Sequence, residues 1–157
     1  MAAQLLDGVA TAARLRTRIA QDVAALVAHG ITPGLGFVLI GDNPASQAYI
    51  RMKTKGCAEV GIRSHNIELP KDTPQQEVLA RIAALNRDTA IHGFIVQLPL
   101  PEHIDEAAVI AAVDPAKDVD CFHPVNVGKL CIGATDGFFP CTPYGIVVLL
   151  QENGIDV

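Results

Sequence analysis

A chain of 157 residues suits a single domain with its own apolar core. Half of its residues are apolar and 18% are charged, which excludes a disordered chain. The net charge of -5 offers no basic stripe for a nucleic-acid backbone, and no apolar run approaches the ~20 residues of a membrane span.

The opening stretch MAAQLLDGVATAARLRTRIA carries Arg14, Arg16 and Arg18 with few acids, as a transit peptide does. Leu15, Ile19, Val23, Leu26 and Val27 nevertheless keep helical spacing, and Asp7 and Asp22 argue against a targeting signal. The segment is therefore read as a core-facing helix over residues 11–29, with Gly30 as its C′ residue. LGFVLIG, after Pro33 and Gly34, predicts a buried strand over residues 35–41. Asn43 then supplies an N-cap and Pro44 a first helical residue, opening a helix to Val60 that Gly61 ends.

Residues 63–69 predict a second strand, polar enough to lie towards a sheet edge. Thr73, Pro74 and Gln76 have capping-box spacing, and Val78, Leu79, Ile82 and Leu85 give the following helix its stripe. GFIVQLPLP, residues 93–101, is a third strand with its exit, followed by a short helix over residues 104–113. Residues 114–141, with three prolines and three glycines, show no clear period and are read as one long irregular connection. Such connections are uncommon in compact domains and are often functional. Thr142 and Pro143 restart a helix that closes near Gly154, and residues 155–157 lead towards a further strand. The alternation predicts an α/β domain of three layers, a mainly parallel sheet flanked by helices.

Cys57, Cys121, Cys131 and Cys141 form no CxxC pair, so neither a disulfide framework nor a redox motif is expected. Their gaps are also too wide for a structural zinc site, so they are read as buried free thiols without metal.

Ligands of open parallel α/β sheets sit outside the carboxyl ends of the strands. Two features fall there. Ser46, Tyr49 and Lys53 are spaced three and four apart, so they share one helical face just after the first strand. Gln97 is the polar residue of the otherwise apolar FIVQLPL. A buried amide without a partner costs ~1–3 kcal/mol, and a lysine amine, a ligand or the backbone would each supply one. No dinucleotide fingerprint is present, since Gly34-Leu35-Gly36 precedes its strand and lacks a third glycine in place. Gly128-Lys129 likewise lacks the earlier glycine of a phosphate-cradling loop.

Four segments together resemble one family. ASQAYIRMKTKGCAEVGI, GFIVQLPLP, DPAKDVDCFHPVNVGKL and PCTPYGI follow, in order, the signatures of bifunctional methylenetetrahydrofolate dehydrogenase/methenyltetrahydrofolate cyclohydrolases. The resemblance spans nearly the whole chain and implies its folate-binding catalytic domain. It implies NADP-dependent oxidation of 5,10-methylenetetrahydrofolate to 5,10-methenyltetrahydrofolate, then hydrolysis to 10-formyltetrahydrofolate. Carried over by position, Lys53 is the central catalytic residue and Gln97 its hydrogen-bond partner. Tyr49 stacks on the aminobenzoyl ring and helps place Lys53, Asp120 anchors the pterin, and Ser46, Leu98 and Pro99 line the folate cleft. Thr142 faces the NADP cofactor.

These roles fit elementary chemistry. Methenyltetrahydrofolate is a resonance-stabilised cation attacked by water, and a neutral amine can take up that water's proton. A lysine does this only where desolvation or nearby positive charge favours its neutral form. A Gln carbonyl and a Tyr ring orient the amine without adding an anion. The resemblance further implies a cytoplasmic enzyme that is a homodimer at full length, with no nucleic-acid or membrane partner. It implies too that the NADP-binding Rossmann domain, missing from residues 1–157, follows, so that the dehydrogenase step is inactive in this chain by itself. One residue departs from the pattern: Cys121 stands where the family carries Gly after KDVD. Two other readings are a folate- or pterin-binding module without turnover, and the substrate domain of an amino-acid- or shikimate-type dehydrogenase.

Overall fold

The computed structural model describes residues 5–157, so residues 1–4 of the stretch weighed as a targeting segment lie outside the described residues. The elements are α1 (Gly8–Ala28), β1 (Gly34–Ile40), α2 (Pro44–Val60), β2 (Arg63–Leu69), α3 (Gln75–Arg87), β3 (Gly93–Val96), α4 (Glu106–Ala112), α5 (Pro124–Cys131) and α6 (Cys141–Glu152). The three strands are parallel in the order β2-β1-β3. This is the α/β architecture the alternation predicts, with polar β2 on an edge.

The layers follow from the pleat of β1, whose successive side chains point to opposite faces. Phe37 and Leu39 pack with Ile50, Cys57 and Ile95 beneath α2. Val38 and Ile40 pack with Val78, Ile82, Leu85, Phe94 and Val109 on the α3 and α4 side. Each such side chain, fully buried, contributes roughly 1.5–3 kcal/mol.

Five local expectations need correction. α1 begins three residues earlier, because the Asp7 carboxylate accepts a hydrogen bond from Ala10 N at 2.9 Å and caps it. Its stripe is only partly buried: Val23 is covered, whereas Ile19, Leu26 and Val27 stay exposed. The capping box at Thr73 does not form. Pro74 stands at the N-cap without a side-chain bond, and Thr73 is buried with its carbonyl 2.9 Å from His103 Nε2.

The largest difference lies in residues 114–141, which contain α5. His123 caps it through Nδ1, which accepts from Val125 N at 3.1 Å, and Pro124 takes the first helical position. A histidine is not a usual N-cap, so the start signal is easily passed over. The preceding loop docks on β3, where Phe94 N donates to the Lys117 carbonyl at 2.9 Å and Phe94 pairs with Asp118. Gly93 permits this approach, since a Cβ there would stand 2.3 Å from Val119 Cγ1. The free thiols also divide: Cys57 and Cys121 are buried, but Cys131 and Cys141 are exposed.

Candidate active site

α2 starts directly after β1, so its first turns sit at the carboxyl edge of the sheet. Asn43 Oδ1 fixes that start by accepting from Ala45 N at 2.9 Å and Ser46 N at 3.2 Å. One and two turns further on, the shared face presents Tyr49 and Lys53. Lys53 Nζ donates to Gln97 Oε1 at 3.2 Å, the partnership expected for both residues. Gln97 is itself held at both ends. Its backbone N–H donates to the Val38 carbonyl at 2.9 Å, and its Nε2 donates to the Leu98 carbonyl at 2.8 Å. The Leu98–Pro99 peptide is cis.

These groups open onto a cleft of about 680 Å³, floored by Phe37 and Ile95 and lined by Tyr49, Lys53, Gln97, Leu98, Asp120 and Thr142. Tyr49 is 53% exposed, so one face of its ring is available to a ligand. Thr142 stands on the rim at the first turn of α6. Two expected residues are not among the lining. Ser46 is buried at 3% exposure in the first turn of α2, and Pro99 faces a separate hollow beside Asn43 and Lys71. Phe122 and Cys141 also line the cleft and were not singled out from the sequence. Their signal was adjacency alone, next to Asp120 and Thr142.

Asp118 and Asp120 separate sharply. Asp118 is buried and accepts three hydrogen bonds, from Phe122 N (3.2 Å), His123 N (2.9 Å) and Asn126 Nδ2 (2.9 Å). Asp120 turns into the cleft instead. Burial pushes its carboxyl above the usual carboxylate range, opposed by the Lys53 ammonium and reinforced by the Asp118 charge. Cys141 Sγ lies 3.7 Å from the Val119 carbonyl and 4.0 Å from Asp120 Oδ1, and burial raises its thiol. Cys121, between Asp120 and α5, has φ 59°, the left-handed region that favours glycine. Among the described residues no cluster of three or more His, Cys, Asp or Glu side chains suits a metal.

A family model described as tetrahydrofolate dehydrogenase/cyclohydrolase, catalytic domain, matches residues 6–120. The chain belongs to this family. The bifunctional protein FolD of Polaromonas naphthalenivorans is 53% identical over 157 residues, covering 100% of this chain and 56% of that protein. FolD of Halalkalibacterium halodurans is 51% identical over the same length, with the same coverage. The chain thus spans about half the length of the curated relatives it matches. The crystal structure of the Campylobacter jejuni bifunctional methylenetetrahydrofolate dehydrogenase/cyclohydrolase superposes with a TM-score of 0.96 at 44% identity, covering 99% of this chain and 55% of that one. The Trypanosoma brucei enzyme, complexed with NADP cofactor and inhibitor, gives 0.92 at 37% identity, covering 99% and 53%.

Proposed function

We propose that this chain is the folate-binding catalytic domain of a bifunctional enzyme of one-carbon metabolism. That enzyme oxidises 5,10-methylenetetrahydrofolate with NADP and hydrolyses the resulting methenyl cation to 10-formyltetrahydrofolate. The single observation that carries the reading is the Lys53–Gln97 pair, set in the cleft that Asp120 also enters.

In hydrolysis a water oxygen forms a bond to the bridging carbon of the cation while Lys53 Nζ takes up its proton. The hydroxyl so formed then loses its remaining proton to solvent as the C=O bond forms and the bond from that carbon to N5 breaks, the ammonium returns its proton to N5, and the formyl group remains on N10. Gln97 directs Nζ through its carbonyl oxygen, and its own amide is pinned by Leu98 so that it cannot turn its nitrogen towards the amine. Asp120 accepts in parallel from the pterin ring N–H and exocyclic amine. Tyr49 offers its exposed face to the aminobenzoyl ring. Leu98 lines the same folate cleft. Ser46, in the first turn of the helix that carries Tyr49, and Pro99, next to Leu98, complete the folate site on this reading.

NADP, when bound, accepts the hydride. Of this chain's residues Thr142 is the one assigned to face it, from the rim of the cleft. Residues 1–157 contain no glycine-rich dinucleotide loop, so the groups that hold the nucleotide phosphates must come from a Rossmann domain outside them. On this reading residues 1–157 by themselves support no dehydrogenase turnover. We further infer a cytoplasmic homodimer at full length. Among the described residues no helix is long and apolar enough to cross a membrane.

The test is an assay of the full-length protein for NADP-dependent oxidation of methylenetetrahydrofolate and for hydrolysis of methenyltetrahydrofolate. Both activities are expected. Binding of folate without either activity would favour a carrier module instead.

A further inference from the structure

We propose that Asp118 and Asn126 are positioning residues, a buried clasp that holds Asp120 and Phe122 in the cleft. The inference rests on the reading of Asp120 as pterin anchor, and it concerns residues that do not line that cleft.

Asp118 and Asn126 are 5% and 2% exposed. A carboxylate so removed from water is tolerated only when its lone pairs are met, by cations or by several donors. Here the donors are two backbone N–H groups, from Phe122 and His123, and the Asn126 amide. The same Asn126 Nδ2 also donates to the Pro115 carbonyl at 2.9 Å, and Cys121 N donates to the Asp118 carbonyl at 3.3 Å. The clasp therefore ties both sides of the loop to the first turn of α5, while the Phe94–Asp118 pairing ties it to β3. Asp120 and Phe122 lie inside the closed segment 118–126, and both face the cleft. The left-handed turn at Cys121 is the conformation by which the chain, one residue past Asp120, doubles back so that Phe122 N reaches Asp118.

The clasp has an electrostatic consequence as well. The groups acting on Asp120 are Lys53 from α2, Asp118 from its own loop and, at 4.0 Å, the Cys141 thiol of α6. A negative charge at Asp118 favours the protonated form of Asp120.

The full-length protein is titrated anaerobically with tetrahydrofolate across an acidic to neutral pH series, as parent and as Asn126→Ala, Asp118→Asn, Asp120→Ala and Asn126→Ala/Asp120→Ala. Asn126→Ala, which removes both hydrogen bonds of Nδ2, should weaken binding about tenfold. On the Asp120→Ala background the same change should weaken it by less than about twofold, because residues acting through one group are not additive. Asp118→Asn should move the acid limb of binding to lower pH, since a like charge has been removed. If Asn126→Ala weakens binding equally on both backgrounds, or the acid limb of Asp118→Asn stays in place or rises, the clasp is not a positioning device. Should Asp118→Asn fail to fold, the Asn126 pair of comparisons decides alone. Asp120→Ala binding as tightly as parent would instead refute the anchor, and the clasp inference with it.

Discussion

Lys53 and Gln97 meet across 44 positions of sequence, with Nζ donating to Oε1 at 3.2 Å and the amide nitrogen of Gln97 committed to the next carbonyl. The polarity of that contact is thereby fixed: the lysine faces an uncharged acceptor. Gln97→Glu would replace it with an anion that favours the ammonium form. Hydrolysis should then fall at neutral pH and recover in alkaline buffer, by at most about tenfold for each pH unit that the profile is displaced. A pH–rate profile of methenyltetrahydrofolate hydrolysis reads this directly. An unshifted profile would remove Gln97 from the control of Lys53.

Asp120 sets function against stability. Asp120→Ala would strand two pterin donors, weakening tetrahydrofolate binding by ~2–4 kcal/mol. The folded state raises the Asp120 carboxyl, chiefly by burial. Such a group adds stability that is complete below its unfolded titration range and is lost as pH rises through the folded value. At neutral pH the ionised carboxylate is thus a liability to the empty protein. Asp120→Asn should raise the melting temperature at pH 7 and bring no gain in strongly acidic buffer. A loss of thermal stability at pH 7 would contradict this.

Cys121 carries two opposing terms. Its φ of 59° costs of order 1 kcal/mol or more in a non-glycine residue, so Cys121→Gly relieves strain. The side chain is also 2% exposed, and deleting a buried thiol forfeits about 1 kcal/mol of burial. Stability should therefore change by less than about 1 kcal/mol, while tetrahydrofolate affinity stays level or improves. Denaturant unfolding and a binding titration check the two halves separately. Weaker folate binding by Cys121→Gly would show that the thiol itself matters to the anchor loop.

The four thiols should react in two classes under native conditions. Cys131 and Cys141 are exposed and should be modified by an aromatic disulfide reagent in the folded protein, Cys141 more slowly than an ordinary exposed thiol because its pKa is raised, while buried Cys57 and Cys121 should wait for unfolding. Tetrahydrofolate should protect Cys141 selectively, because that residue lines the cleft. Peptide mapping of the modified protein distinguishes them. Elemental analysis should find no stoichiometric zinc, and one zinc per chain lost on Cys131→Ser would overturn that expectation.

Much of this is legible in the sequence. The 3.6-residue period of α2, with Asn43 and Pro44 at its start and Gly61 at its end, placed Tyr49 and Lys53 on one face, as observed. Apolar β1 and polar β2 announced a central and an edge strand. What escaped notice depended on partners distant in sequence. α5 is capped by a histidine and secured by Asp118 through Asn126, contacts that no local period reveals. The exposure of Ile19, Leu26 and Val27 breaks the α1 stripe for the same reason: period gives the apolar face but not what covers it. Ser46 and Pro99 neighbour cleft residues in sequence, while Ser46 is buried in the first turn of α2 and Pro99 lines a hollow beside Asn43 and Lys71.

The central claim is that Lys53 moves the proton in methenyltetrahydrofolate hydrolysis. Lys53→Met keeps an unbranched apolar stem and removes the amine, and the decisive measurement is its single-turnover hydrolysis rate in the full-length protein beside its tetrahydrofolate affinity. The rate should fall by ~10²–10⁴, the usual contribution of a general acid–base group, with affinity changed only a few-fold. A variant that binds tetrahydrofolate and hydrolyses the methenyl substrate at near the parent rate would contradict the account.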